Sequence, residues 1–440
     1  MALTFRGGVH PDPGKKATRD KATKALPPPG MVVIPMSMHI GGPCQPLVRV
    51  GSTVKMGQKI GESPSPVSAP VHASVSGKVT AVEPRLHPNG TKVLSVVIEN
   101  DGQDTLDESV APKGSVESLS GEELVSIIKE AGIVGLGGAG FPTHLKITSG
   151  LSQVDTLMID AAECEPYLTA NHRTLLEKPE EVIGGIRILM KLYNTRNAII
   201  GIESNKMDAY KVLLRTLPKG SDISVKLLKT KYPQGGEKQL TYALTGKEVP
   251  PGQLPSAIGC VSFNTDTCAA IHRAVTTGMP LIDRTVTVSG SAVANPQNLT
   301  CRIGTLFEDL IAGAGGYRED PYKIIMGGPM MGIAVQSLDM PVIKGTTALL
   351  SFSREKNYVE KDPMCIRCGR CVDVCPMNLM PLTLYQYYEK EMFSDLEKLN
   401  LSDCIECGSC TFICPGRLHL AQSFKVAKFR LNEYKKKGGQ

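Results

Sequence analysis

The sequence predicts a multidomain α/β protein. A small β domain stands in front, a Rossmann-like α/β domain in the middle, a small β unit behind it, and a cysteine-rich domain at the end. Three observations carry this. At 440 residues the chain is too long for one core. Between residues 119 and 277 amphipathic helices alternate with short apolar strands, the pattern of a parallel sheet covered by helices. After Ser351 two near-identical cysteine runs take over.

Composition narrows the function. Hydrophobic residues make up 41% and charged residues 21%, as in an ordinary soluble chain. A net charge of +6, spread along the chain, is too weak to point to nucleic acid. Tryptophan is absent and aromatics are only 5%, which removes base-stacking platforms. No apolar run reaches the roughly 18 residues a membrane span needs. The first residues lack the apolar stretch of a signal peptide, so the expected compartment is the cytoplasm. Thirteen cysteines are unusual there. Because disulfides are rare in that compartment, metal binding or catalysis is the better explanation.

Taken in order, residues 1–30 read as an extended arm ending in "LPPPG". Residues 31–110 hold short valine-rich strands with glycine turns, as in "VSAPVHASVSGKVTAV". They resemble the barrel-sandwich fold of lipoyl and biotinyl carriers. The tip where a carrier has its modified lysine is "GESPSPVSAP" here and contains none, so the domain reads as scaffold. Residues 119–277 open with "SGEELVSIIKEAGIV", an amphipathic helix with Ser120 as N-cap and Glu123 three residues later. Strands "VDTLMIDAAE", "NAIIGIE" and "DISVKLLKT" follow, separated by helices. Residues 283–340 read as a small β-grasp unit, 355–425 as the cysteine domain, and 426–440 as a solvated basic tail.

The strongest signal is "CIRCGRCVDVCP" and "CIECGSCTFICP". Both are C-x2-C-x2-C-x3-C-P, the bacterial ferredoxin run in which the fourth cysteine serves the other cluster. That rule assigns Cys365, Cys368, Cys371 and Cys414 to one [4Fe-4S] cluster. It assigns Cys404, Cys407, Cys410 and Cys375 to the second. Gly369 and Gly408 let the loops turn, and the fourth cysteine of each run is expected at a helix start. Zinc sites usually pair two knuckles at longer separation and lack the third cysteine and the C-P ending. The remaining cysteines, Cys44, Cys164, Cys260, Cys268 and Cys301, read as small buried residues.

Two clusters carry single electrons, and a flavin is the natural supplier because it takes a hydride and releases electrons singly. "GLGGAGFPTHLK" (residues 135–146) is the candidate flavin loop. It lacks the strand-to-helix context of a dinucleotide fingerprint, so alone it decides little. In order follow Glu163-x-Glu165-Pro166, Tyr232-x-x-Gly235-Gly236-Glu237 and Asn264-x-x-Thr267. This set resembles the flavin-bearing, NADH-oxidising subunit of respiratory complex I and its diaphorase relatives. The whole of Met31 to Gln422 resembles the RnfC component of Rnf-type ion-translocating ferredoxin–NAD oxidoreductases.

The resemblance implies that Gly135, Gly137, Gly138 and Gly140 let the backbone approach FMN and NAD(H). Phe141 would lie near the nicotinamide or adenine, and Lys146 would neutralise the FMN phosphate. Glu163 would hold the ribityl chain or ring edge, and Glu165 would sit near the nicotinamide amide or ribose. Tyr232, Gly235 and Glu237 would continue the walls, and Asn264 and Thr267 would finish the phosphate pocket. Two positions depart from the complex I pattern: Asp160 replaces an asparagine, bringing a further carboxylate, and Ala162 replaces an acid. On the residues alone, Glu163 and Glu165 also suit capping of the next helix, and His144 and His172 read as structural. The implied protein is a peripheral subunit on the cytoplasmic face of a membrane-bound complex, passing electrons to or from partner subunits. Its rivals are the diaphorase subunit of a soluble hydrogenase or formate dehydrogenase, and a flavin-less iron–sulfur relay.

Overall fold

The computed structural model describes residues 2–138, 140–354 and 363–436. The start of the predicted cysteine domain, residues 355–362, and the end of the tail, residues 437–440, lie outside them.

The N-terminal arm is not a free extension. Leu3 bridges to Leu228, Val9 bridges to Tyr232, and strand β1 (Lys24–Ala25) pairs with residues Leu299 and Thr300 of a distant sheet. Seven short strands follow: β2 (Met31–Pro35), β3 (Gln45–Pro46), β4 (Thr53–Val54), β5 (Lys59–Glu62), β6 (Val71–His72), β7 (Gly77–Leu86) and β8 (Lys92–Asn100). They form two sheets, ordered β2-β8-β7-β4 and β3-β5-β6. Val32, Ile34, Val96 and Ile98 join the main core on one face, and Val33 and Val97 are buried with Leu306 on the other.

The α/β domain runs α1 (Gly121–Glu130), α2 (Thr143–Thr148), β9 (Thr156–Ala161), α3 (Ala170–Glu177), α4 (Pro179–Tyr193), β10 (Ala198–Glu203), α5 (Met207–Thr216), β11 (Ile223–Leu228), α6 (Glu237–Thr245), β12 (Cys260–Asn264) and α7 (Thr265–Thr277). All strands are parallel, in the order β11-β10-β9-β12. Ser120 and Glu123 form the expected capping box. One buried apolar cluster is continuous from the barrel sandwich into this domain, joining Val32 and Ile60 to Leu157 and Ile271.

The β-grasp unit contains β13 (Asp283–Ser289), β14 (Gln297–Arg302), α8 (Phe307–Gly313), β15 (Lys323–Met326), β16 (Ile333–Val335) and β17 (Ala348–Phe352). Its sheet order is β1-β14-β13-β17-β15-β16. The sheet therefore reaches past residue 340, because β17 is one of its inner strands, and it borrows an edge from the arm.

The last domain has α9 (Arg370–Asp373), α10 (Pro381–Glu389), α11 (Phe393–Lys398), α12 (Ser409–Ile413) and α13 (Leu420–Lys436). Residues 426–436 are not a solvated tail. They continue α13, and Phe424, Ala427 and Leu431 pack with Leu384, Leu396 and Leu401 in the domain's core. The basic residues predicted for the end occupy the helix's outer side, which hid the apolar stripe beneath them. Among the described residues, no helix is long and apolar enough to cross a membrane.

Candidate flavin and iron–sulfur sites

The cysteine runs fold as two loops, each turned by a glycine in left-handed conformation, Gly369 at φ 76° and Gly408 at φ 77°. Arg367 and Glu406 are also left-handed, at φ 55° each, which spacing alone does not reveal. Each bends the backbone so that an amide meets a cysteine: Arg367 N–H and Glu406 N–H donate to Cys365 Sγ and Cys404 Sγ at 3.4 Å. The third cysteine of each run, not the fourth, lies in a short helix. Cys375 and Cys414 follow α9 and α12, because the proline after each cannot continue a helix.

Two cavities result. One is lined by Cys375, Cys404, Cys407 and Cys410, the other by Cys365, Cys368, Cys371 and Cys414. These are the crossed sets that the spacing predicts. Among the described residues, no three His, Cys, Asp or Glu side chains are set to hold a single metal ion. The cysteines instead ring two volumes, as an extended iron–sulfur cube requires, so the donor set fits [4Fe-4S]. Burial pushes the Cys404 thiol up to about 11 and raises those of Cys371, Cys375 and Cys407. Cluster assembly therefore has protons to displace.

The glycine loop lies between α1 and α2, closed by a bridge from Val134 to Pro142 and by Gly135 N–H donating to Phe141 O at 2.9 Å. Leu136 N–H donates to Thr267 Oγ1 at 3.0 Å, so Thr267 supports the loop from α7. Buried Arg284, unforeseen from the sequence, donates to Leu136 O at 3.3 Å. The glycines have different reasons. A Cβ on Gly137 would stand 2.4 Å from Asn264 Nδ2, and Gly140 has φ 73°. Gly138 faces open space, with nothing within 4 Å of a Cβ. The fold does not require glycine there, and the space a Cβ would fill remains free for a ligand. Phe141, three residues on, is 38% exposed.

Asn264 caps α7 through Asp266 N–H and donates to Asn171 Oδ1 at 2.8 Å. Glu163 accepts from Asn171 N–H at 2.7 Å and His172 N–H at 3.2 Å, so it does cap α3. Its own φ is 43°, and that of Tyr167 is 69°, strain concentrated in the turn after β9. Lys146 pairs with Glu237 at 2.7 Å, and Ser262 Oγ donates to the same carboxylate at 2.9 Å. Burial alone would raise the Glu237 carboxyl, but Lys146 and Ser262 bring it below its usual range. Asp160 is half-buried beneath Gly235, whose Cβ would stand 3.1 Å from the carboxylate. Burial lifts Asp160 to about 6, with Glu203 adding to the rise. Both side-chain polar atoms of neighbouring Gln234 are buried without a partner.

Two predicted residues turn elsewhere. The Glu165 carboxylate accepts from Met330 N–H at 3.1 Å and Met331 N–H at 2.9 Å, in the turn between β15 and β16. Burial raises it to about 7. Tyr232 is 1% exposed, and its hydroxyl donates to Cys407 O at 2.6 Å. Both seal domain seams because two further domains pack against this edge of the α/β sheet. Reasoning from the sequence also misses Lys15. Its buried ammonium donates to Glu163 O and Glu165 O at 2.9 Å each and to Leu168 O. Burial brings it down to about 8. Its only signal in the sequence is a lysine within a segment that reads as an extended arm.

These parts define a class: an iron–sulfur protein built on an FMN-binding α/β domain. Residues 3–103 match the RnfC barrel sandwich hybrid domain, 128–273 the Nuo51 FMN-binding domain, 285–334 the SLBB domain and 357–415 the 4Fe-4S dicluster domain. The C component of the Na(+)-translocating ferredoxin:NAD(+) oxidoreductase complex of Acetobacterium woodii is 46% identical, covering 99% of this chain and 98% of its own length. The proton-translocating counterpart of Clostridium ljungdahlii is 45% identical, over 92% and 88%. The chain belongs to the RnfC family, the C components of these ferredoxin:NAD(+) oxidoreductase complexes. A solved NAD+-reducing [NiFe]-hydrogenase shares the fold over 73% of this chain and 63% of its own, with 17% identity and a TM-score of 0.50.

Proposed function

We propose that the chain is the NADH-oxidising or NAD-reducing electron-transfer subunit of a membrane-bound, ion-translocating complex, held at the cytoplasmic face by its partner subunits. FMN, when bound, exchanges a hydride with NAD(H) and single electrons with two [4Fe-4S] clusters. The chain's own residues bind and position. The Gly135–Gly140 backbone gives a ligand close approach, Lys146 offers the phosphate a cation that Glu237 keeps in place, and Glu163 fixes the α3 end beside the loop. None of these side chains needs to supply a proton.

The observation that carries this reading is the seating of the Cys375/Cys404/Cys407/Cys410 cavity directly on the flavin domain. Tyr232 reaches Cys407 O, Gln239 Nε2 donates to Pro376 O at 3.2 Å, and Gly8 N–H to Val374 O at 2.8 Å. The other cavity is lined by Cys365, Cys368, Cys371 and Cys414, with Cys368 exposed. The first is the inner relay and the second faces the partner. Removal of one cluster at a time tests the order. Cys407→Ser should leave flavin reduction by NADH intact and stop reduction of the outer cluster. Cys368→Ser should leave the inner cluster reducible. Unchanged reduction of the outer cluster in a Cys407→Ser chain shown by iron analysis to lack its inner cluster would reverse the order.

A further inference from the structure

A separate cavity opens at the seam between the barrel-sandwich tip and the back of the flavin loop. Its walls are the Glu62–Pro70 tip, Lys129 at the end of α1, and His144 and Leu145 of α2. Its volume is about 340 Å³, at the low end of the range of small-molecule sites. It is separate from the flavin side of α2. His144 and Lys146 are two residues apart on one helix and so point to opposite sides. Lys146 meets Glu237, whereas His144 faces the tip.

The lining is built rather than incidental. His144 is 6% exposed, and its Nδ1 is buried with no partner. Burial, then the nearby Lys129 charge, bring its imidazole down to about 4, so it is neutral at ordinary pH. A neutral ring with a free nitrogen offers a hydrogen bond to a ligand at no charge cost. Ser65 and Ser68 donate inward, to Val67 O at 3.3 Å and Ser65 O at 2.9 Å, which stiffens the tip. Ser63 accepts from Ser65 N–H at 3.2 Å and keeps its own hydroxyl proton for the cavity. The Glu62 charge is met by Lys59 at 3.3 Å, and Lys59 also pairs with Glu130 at 2.5 Å. Lys129 enters none of these ion pairs and remains the cation of the cavity. Behind Pro70, Lys344 Nζ donates to Pro70 O at 2.6 Å. The prolines of the tip add flat apolar walls.

We infer that this cavity is a binding site for a small anion, a phosphate or carboxylate on a flat ring, with Lys129, Ser63 and His144 as its polar contacts. The carrier-type tip, having no lysine to modify, closes a ligand pocket instead.

Titration of the flavin-loaded, cluster-reconstituted full chain with phenyl phosphate, followed by calorimetry, tests this. We expect one site per chain with a dissociation constant of about 1 mM or tighter. Inorganic phosphate alone should bind more weakly. Lys129→Gln and Ser65→Trp, which remove the cation and fill the mouth, should each weaken binding about tenfold or more and leave NADH binding unchanged. No heat up to about 10 mM, displacement of the probe by NADH, or unchanged binding in either variant would overturn the assignment.

Discussion

Single residues divide into those the fold demands and those it leaves free. Gly137 and Gly140 belong to the first group. Gly137→Ala would press a Cβ against Asn264 and cost about 1–3 kcal/mol, and Gly140→Ala would lose about 1–2 kcal/mol to its left-handed backbone. Gly138 belongs to the second. Gly138→Ala should leave stability within about 0.5 kcal/mol while FMN content falls, as read by thermal melting beside flavin release. A parallel loss of stability would show that the glycine serves the fold. Glu165 gives a pH signature. Its folded pKa, about 7, lies above the ordinary carboxylate value of 4.5. Its stabilising contribution is therefore complete below about 4.5 and is lost as pH rises through about 7. Glu165→Gln should gain stability relative to the parent between about pH 5 and 8. A pH-independent difference between the two chains would remove the argument.

At the scale of elements, the arm and the last helix carry more than their sequences suggest. Lys15 holds three carbonyls of the β9–α3 turn from a segment that reads as an extended arm. Lys15→Met would leave those carbonyls without their donor, at roughly 1–3 kcal/mol each where burial is complete. A drop in melting temperature accompanied by loss of bound FMN is the expected result, and a neutral effect would detach the arm from the site. Helix α13 is equally easy to misread as a tail, since Lys425, Lys435 and Lys436 are exposed while Phe424 and Leu431 face inward and Lys428 reaches Cys404 O. Truncation after His419 should release iron from both clusters, because the buried leucines around them lose their cover. Retention of all iron would contradict that role. The alternating helices and strands were legible because periodicity is local. The pairing of β1 with β14 was not, because a two-residue strand has no period to read.

At the scale of the whole molecule, the order of domains and the two cysteine sets could be read directly. Spacing fixes which thiolates can reach one cube, and the cavities contain those sets. What spacing could not supply was the seating of the domains. Tyr232 and Glu165 stand in motifs that suggest a flavin wall, yet their partners come from the ferredoxin and β-grasp domains, contacts that exist only after docking. That docking places one cysteine cavity against the flavin domain, the contact on which the proposed electron path rests. The most direct test is the visible spectrum of the anaerobically purified, reconstituted chain before and after NADH, with iron and released flavin assayed on the same sample. We expect about eight irons, bound FMN and bleaching of the flavin bands on NADH addition. About eight irons with no flavin uptake from added FMN and no response to NADH would contradict it and leave an iron–sulfur relay.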